Sequence, residues 1–97
     1  MILLLLMPPR EFPAFEQKLK ALASKRRLQI LSILRKKHTT TVSTLARKLG
    51  ISVQAASKHL TTLARANIIH AKRRGMYVTY RLTLHQDPLV KHILKRL

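Results

Sequence analysis

The chain has no cysteine and no tryptophan, and only three of its 97 residues carry a side-chain carboxylate. Without cysteine it has no disulfide, no thiolate nucleophile and no thiol redox sensor. With so few carboxylates, no glycine-rich phosphate loop and no grouping of a nucleophile with a base, we expect neither an enzyme nor a bound cofactor. The lack of cysteine also removes the usual reason to place a protein outside the cell.

The carboxylates are outnumbered by 20 lysines and arginines, which give a formal net charge of +17. These basic residues are spread from Arg10 to Arg96 and do not form a tail. So one-sided a charge destabilises the folded chain by self-repulsion unless a polyanion is the habitual partner. We therefore expect a nucleic acid partner. A merely solvated surface and an anionic membrane surface are the weaker interpretations.

Ninety-seven residues suit one small domain, and burial across a dimer interface would stabilise a core of that size. The apolar run over residues 1–7 (MILLLLM) is shorter than the roughly 20 residues that span a bilayer. It also lacks the basic start and the cleavage site of a signal peptide. We predict an apolar arm over 1–13, packed on the fold or on a partner subunit, and a domain over 14–97. A weak interfacial anchor is the alternative for the arm.

Residues 40–65 have the pattern of two short helices joined by a tight turn. Ser43 is expected to cap the first helix, because its hydroxyl can accept a bond from an unpaired amide. Leu45, Ala46 and Leu49 would form the apolar face of that helix. Gly50 follows where a helix often ends in a left-handed residue.

The second helix of this pair is predicted over 53–65, with Ser52 as its N-cap. Its apolar residues recur at spacings of four and three and mark one buried face: Ala56, Leu60 and Leu63. Its other face carries side chains that form hydrogen bonds and that no core requires: Gln54, Ser57, Lys58, Thr61 and Arg65. Two such helices around a glycine turn are typical of a helix-turn-helix.

The rest of the chain supplies further helices and a hairpin. Asn67 stands where a left-handed cap would end the second helix, and beyond it the apolar period changes from helical to alternating. The fold class is therefore mainly α with a small β-hairpin, in the order α-α-(β)-α-α-β-β-α. The predicted elements outside the motif are a helix over 14–23, a helix capped by Ser24, a short strand over 39–42, strands over 68–73 and 76–82 flanking Arg74-Gly75, and a helix over 87–96.

Three cations, Lys25, Arg26 and Arg27, stand at the predicted start of the second helix of the chain. Positive charge opposes the helix dipole at that end. Its presence there favours an external anion, most simply phosphate, or else an ordinary solvated surface.

Three stretches resemble the ArsR/SmtB-type regulators, and together they run from about Ala21 to Leu82. They are ALASKRRLQIL at 21–31, LARKLGISVQAASKHLTTL at 45–63 and GMYVTYRL at 75–82. The resemblance implies a winged helix-turn-helix and a homodimeric transcriptional repressor, with the dimer formed by the first and last helices. The interface residues implied here are Phe15, Leu19, Leu22, Leu89, Val90, Ile93 and Leu94.

Two departures from this family concern its metal sites. Where many members have a Cys-x-Cys entering the third helix, this chain has Thr41 and Ser43, whose hydroxyls are poor ligands for thiophilic ions. Other members use acidic and histidine ligands near the last helix. Here Lys95 takes the fourth position and argues against zinc. No metal is therefore expected, although three candidate ligands stand in that region: His85, Asp87 and His92.

In a helix-turn-helix the second helix enters the major groove of double-stranded DNA. Gln54 can pair with adenine and Lys58 with guanine, whereas half-buried packing is the alternative for His59. The expected base-reading residues are Gln54, Ala55, Ser57, Lys58 and His59. The expected phosphate-binding residues, including those of the hairpin, are Thr40, Ser43, Thr44, Thr61, Lys72, Arg73 and Arg74.

Together these residues predict a dimeric regulator that reads a pseudo-palindromic operator through helix 53–65 and the basic hairpin 72–75. We expect it in the cytoplasm, associated with the nucleoid. Two alternatives stay open. The first is an architectural protein that coats DNA with little sequence preference, as the charge favours. The second is RNA binding, although two tyrosines offer little surface for base stacking.

Overall fold

A computed structural model describes residues 7–97, which form five α-helices and one antiparallel hairpin. A 3-10 turn at Pro9–Glu11 leads into the first helix. The first six residues of the predicted apolar arm lie outside the described part. The predicted fold class is confirmed. The elements are α1 (Phe12–Leu22), α2 (Lys25–Lys37), α3 (Val42–Leu49), α4 (Val53–Arg65), β1 (Ile69–Arg74), β2 (Tyr77–Leu82) and α5 (Pro88–Lys95).

The N-caps of α2 and α4 are the serines that the sequence predicts. The Ser24 hydroxyl accepts a bond from the amide of Arg27 at 3.3 Å, and the Ser52 hydroxyl accepts one from Ala55 at 3.0 Å. α5 is capped in the same way by Asp87, whose carboxylate accepts the amide of Leu89 at 2.8 Å. Each cap pairs one amide that the helix itself leaves unpaired.

The predicted N-cap of α3 was wrong. Thr41, not Ser43, holds the extended capping conformation, and its hydroxyl accepts the amide of Thr44 at 3.2 Å. The preceding residue is tied into an extended pairing with β2, so the helix begins directly after it. Ser43 therefore lies inside the first turn of α3.

The strand predicted over 39–42 is reduced to this single pairing. Only Thr40 forms a bridge, with its amide 3.2 Å from the carbonyl of Tyr80 and its carbonyl 2.8 Å from the amide of Tyr80. The strand cannot extend further because Thr41 already caps a helix. The bridge fastens the start of α3 to the hairpin.

α3 and α4 end in the same way, with a residue in the left-handed region. Gly50 has φ 66° and Asn67 has φ 58°, which confirms both expectations. In each case the next amide reaches back to the last turn: Ile51 N to Ala46 O at 3.0 Å, and Ile68 N to Leu63 O at 3.1 Å. These are Schellman bonds, which satisfy carbonyls left free at a helix end.

The hairpin pairs β1 with β2 from Ile69↔Leu82 to Arg74↔Tyr77. Its loop is therefore Gly75-Met76, one residue later than the predicted Arg74-Gly75. Gly75, with φ 60°, stands first in the loop, as a type II′ turn requires. The loop lies one residue later because Gly75 adopts the positive φ at the first position of the turn. Arg74 can then pair with Tyr77 as the last residue of β1.

All five helices and β1 contribute buried side chains to one core. The largest of these are fully enclosed and come from α2, α3, α4, the start of the hairpin and α5: Ile30, Leu31, Leu34, Leu45, Leu60, Leu63, Ile68, Ile69 and Val90.

Four basic side chains donate hydrogen bonds to carbonyls at the ends of helices. Lys18 bonds the carbonyl of Ala66 beyond α4 at 2.8 Å, and Arg35 bonds that of Leu94 in α5 at 2.6 Å. Cations are favourable there because the C-terminal end of a helix carries partial negative charge.

The other two of these cations belong to the group at the start of α2. Arg27 donates through Nε to the carbonyl of Ala21 in α1 at 2.6 Å, and Arg26 donates to that of Leu49 in α3 at 3.3 Å. The partners of these two side chains are thus helix ends inside the molecule. No external anion is needed to explain their position.

Candidate nucleic-acid interface

The motif α3–turn–α4 presents one face of α4 to solvent. The opposite face is anchored, because Ala56, Leu60 and Leu63 have no exposed surface. α4 packs against α1, α2, α3 and β1, which fixes its orientation. With 3.6 residues per turn, the predicted polar residues share the outward face, and all are exposed: Gln54, Ser57, Lys58, Thr61 and Arg65.

Three of the predicted base-reading residues lie together in the first half of this face. Within residues 7–97 the side chains of Gln54, Ser57 and Lys58 form no hydrogen bond, so their donors and acceptors are free for a ligand. Ala55 is half-buried at one edge of the face, and Val53 at the opposite edge is exposed. This group can present an amide, a hydroxyl and an ammonium to one groove.

His59 is not on this face. Its ring is half-buried, and Nδ1 lies 3.2 Å from Nη1 of Arg27, which donates to it. Burial, followed by the charges of Arg27 and Arg26, lowers the pKa of His59 below its usual 6.5. The packing alternative therefore describes where His59 lies, between α4 and α2.

The predicted phosphate-binding residues of α3 and α4 are placed unequally. Ser43 and Thr61 are both exposed. Thr44 is half-buried and accepts a bond from the Thr41 hydroxyl at 3.0 Å. Thr40 is only 8% exposed, because its bridge to the hairpin draws it into the fold. Thr40 can therefore offer little to a ligand.

The three predicted phosphate-binding cations of the hairpin, Lys72, Arg73 and Arg74, lie in β1 and are all exposed. Successive residues of a strand point to opposite faces. Lys72 and Arg74 therefore share one face of the hairpin and Arg73 takes the other. The hairpin ends with positive charge on both of its sides, next to the loop Gly75-Met76.

Little internal negative charge offsets these cations. Among residues 7–97 the one ion pair joins Lys20 to Glu16 at 3.8 Å, and both side chains are well exposed. Exposed pairs of this kind contribute little. The positive charge of α4 and the hairpin is therefore not neutralised by carboxylates among these residues and can attract an external polyanion.

A second surface of interest comprises the apolar side chains that α1 and α5 leave exposed or half-buried. Leu19 is 42% exposed and Leu89 is 40% exposed, while Phe15 and Ile93 are half-buried. The other three residues predicted for a dimer interface lie in the core of the protomer: Leu22, Val90 and Leu94.

Sequence reasoning missed Phe12 on this surface. The residue is 54% exposed and lies one turn before Phe15 on α1. The sequence pattern predicts a first helix that begins at residue 14, so Phe12 falls before it. The proline at position 13, which is common in the first turn of a helix, was the signal for the earlier start.

The candidate metal ligands do not come together. In the described part of the chain no three histidine, aspartate or glutamate side chains are grouped as they would be around an ion. Asp87 is engaged as the cap of α5, and His85 and His92 are exposed.

None of the helices between residues 7 and 97 is long and apolar enough to cross a membrane.

Comparison with known proteins matches the motif and the fold. A family described as "Helix-turn-helix domain" matches residues 22–70. The transcriptional activator HlyU of Vibrio cholerae serotype O1 is 34% identical over 79 residues, which cover 81% of this chain and 72% of that protein.

Two solved structures are similar over most of the chain. The antimony-specific transcriptional repressor AntR superposes with a TM-score of 0.73 at 32% identity, over 94% of this chain and 79% of its own. The homodimeric winged helix-turn-helix domain Mb0332 of Mycobacterium bovis gives a TM-score of 0.75 at 27% identity, over 93% of this chain and 82% of that domain. The relatives are transcriptional regulators and not enzymes.

Proposed function

The chain belongs to the ArsR/SmtB-type family of winged helix-turn-helix transcriptional regulators, and from that premise we propose that it binds DNA sequence-specifically. Two copies form a homodimer that reads a pseudo-palindromic operator through α4 and the basic hairpin. Occupation of the operator represses the adjacent gene. Such a protein acts at the nucleoid, in the cytoplasm.

The observation that carries this proposal is the outward face of α4. Gln54, Ser57 and Lys58 are exposed and unpaired, while the other side of the helix is sealed into the core. In the major groove an amide such as that of Gln54 pairs with N6 and N7 of adenine, and an ammonium such as that of Lys58 donates to O6 and N7 of guanine. These are contacts that distinguish one base pair from another.

The hydroxyls and the hairpin cations have a different role in this proposal. Ser43 and Thr61 bind phosphates beside the groove, and Lys72, Arg73 and Arg74 bind the backbone further along. Such contacts position the protein on the duplex and carry no sequence information. They also make binding strongly dependent on salt, since each neutralised phosphate releases counterions.

The apolar surface of α1 and α5 supports the homodimer. Its exposed and half-buried members would be covered by a second copy: Phe12, Phe15, Leu19, Leu89 and Ile93. The relative Mb0332 is itself described as homodimeric. A two-fold dimer would place its recognition helices at half-sites about 34–36 Å apart.

The charge of +17 favours one alternative, a protein that coats DNA with little sequence preference. A selection of bound duplexes from random DNA, with the full chain at physiological salt, distinguishes the sequence-specific regulator from the coating protein. A sequence-specific dimer enriches a two-fold symmetric site with half-sites one helical turn apart. A coating protein enriches no motif, and that outcome would refute the proposed function.

A further inference from the structure

The loop of the hairpin carries a methionine that the fold does not use. Met76 is 94% exposed, and the neighbouring Tyr77 is 72% exposed. The turn needs positive φ only at Gly75, and the second loop position of such hairpins is commonly polar. A large apolar side chain at this apex therefore has no partner within the described part of the chain.

The surroundings of this methionine specify the chemistry of a partner. Lys72 and Arg74 flank it on one face of the hairpin, and Arg73 flanks it on the other. An uncharged apolar protein surface would have to desolvate these three cations. Two parallel rows of phosphates with a gap between them would instead pair with both faces at once.

The minor groove of DNA has that form, with a phosphate backbone on each side of a gap about 6 Å wide. Proteins that enter it often insert an apolar wedge, methionine among them, between two base pairs. The wedge partly unstacks the bases and kinks the duplex by about 20–90°. Met76 is unbranched and flexible, so it can adapt to such a gap.

We propose that the wing, which we define as residues 72–77, inserts Met76 between base pairs in the minor groove beside the operator. The inference rests on the proposed DNA binding and adds a specificity determinant to it. The cations hold the backbone while the methionine reads how easily one base step opens. Pyrimidine–purine steps unstack most readily. The protein would therefore select such a step without forming a hydrogen bond to it, and it would bend the DNA.

The test uses the full chain and a selected duplex that carries 2-aminopurine at the step facing the wing. Binding of the wild type should raise the fluorescence of that base and bend the duplex, as measured by energy transfer between its ends. Met76→Ala should lose both signals and the preference for that step, and Met76→Leu should restore them. Met76 is 94% exposed, so an unchanged melting temperature should accompany the loss.

Leu84→Ala is the matched control, because Leu84 is 88% exposed in a different loop. It should unstack and bend the duplex as the wild type does. Equal unstacking by Met76→Ala and wild type on the selected duplex would overturn the wedge while leaving the proposed function intact. If selection enriches no palindromic operator, the proposed function fails; Met76-dependent unstacking at a pyrimidine–purine step, with a preference for that step, would still support the wedge.

A membrane is the other partner that cations around an apolar tip could fit. Binding of wild type to phosphatidylserine vesicles that is lost in Met76→Ala, together with unchanged DNA unstacking in that variant, would assign the tip to lipid and overturn the inference.

Discussion

His59 illustrates how a single position on a recognition helix can belong to the interior. Arg27 donates to its Nδ1 at 3.2 Å, so the ring must stay neutral to keep this bond. Burial and the nearby charges of Arg27 and Arg26 lower the pKa of His59 in the folded state. The unfolded chain, in which the pKa has its usual value of 6.5, binds the proton more readily.

Stability should therefore fall as the pH drops below about 6.5, because protonation favours the unfolded state. Above that value the contribution is fully present. We predict that His59→Gln, which keeps an acceptor for Arg27, flattens the decline in melting temperature between pH 7 and pH 5, roughly the range in which a histidine titrates.

His70→Gln is the control, because His70 is exposed on β1 and the substitution is the same. It should leave the decline unchanged. If both substitutions flatten the curve equally, the loss of stability in acid does not come from the pair His59–Arg27.

Single residues were predicted well where the deciding interactions are local. Ser24 and Ser52 cap their helices because an N-cap requires only that a hydroxyl accept a hydrogen bond from the amide three residues later. At α3 the hydroxyls of Thr41 and Ser43 are both possible N-caps. Thr41 is the cap because the bridge between Thr40 and Tyr80 fixes where the extended segment ends. A pairing across 40 positions of chain cannot be inferred from the neighbourhood of Ser43.

At the scale of elements, the ends of the helices are held by cations from other helices. Arg27 bonds the carbonyls of Ala21 and Lys20 at the end of α1 while it is itself part of α2. Hydrogen bonds to charged groups contribute about 1.5–3 kcal/mol each. We predict that Arg27→Ala lowers the free energy of unfolding by about that amount, measured by urea denaturation.

Lys25→Ala removes the same charge from the same turn, but Lys25 is exposed. Its effect should stay within about 0.5 kcal/mol, as for most surface substitutions. A loss in Lys25→Ala as large as in Arg27→Ala would show that net charge, and not the bond to the end of α1, determines the change.

The wing is the second element with a testable contribution. Arg73 and Arg74 lie on its two faces and would each neutralise a phosphate of bound DNA. We predict that Arg73→Ala with Arg74→Ala weakens binding to all sequences alike. The slope of log K against log salt should become shallower by about 2, since each contact contributes about 0.9.

Lys36→Ala with Lys37→Ala provides the matched control. Both lysines are exposed at the end of α2, outside the proposed interface, and the change in net charge is the same. A slope that changes equally in the two double variants would contradict a specific role for the wing.

The elements were predicted to within a few residues, and the misses have a common cause. Where the apolar period changes at Asn67, the hairpin was evident from the sequence. Its loop was misplaced by one residue because Arg74 and Met76 are both compatible with a turn beside Gly75. Only the pairing of the two strands distinguishes them.

At the scale of the molecule, the apolar surface of α1 and α5 is the proposed contact between two copies. Phe12, Leu19 and Leu89 are its most exposed members, at 54%, 42% and 40%, and their exposure would be costly in a monomer. We predict that Leu19→Glu converts the dimer to monomers in sedimentation experiments, because a buried unpaired carboxylate is strongly unfavourable.

The same substitution at Leu84 is the control, since Leu84 is 88% exposed in the loop between β2 and α5 and belongs to neither helix of the surface. Leu84→Glu should remain dimeric. A wild-type chain that is monomeric at the concentrations used for DNA binding would contradict the proposed interface.

The sequence could not separate this surface from the core. Leu22, Val90 and Leu94 follow the same helical period as Leu19 and Leu89, yet they are enclosed within one protomer. The core of a protomer and a dimer interface both favour apolar side chains. The sequence pattern therefore predicts the helices, but it does not show whether the same protomer or a second copy covers each residue.

The central claim is that the exposed face of α4 reads bases, and the affinity ratio between a selected operator and a scrambled duplex tests it most directly. At about 0.15 M salt, we predict a ratio of at least about 1,000 for the wild type. Gln54→Ala should reduce that ratio by about 5- to 150-fold, equivalent to the 1–3 kcal/mol of one bidentate contact. A wild-type ratio near one, or a Gln54→Ala variant that weakens both duplexes equally, would contradict it.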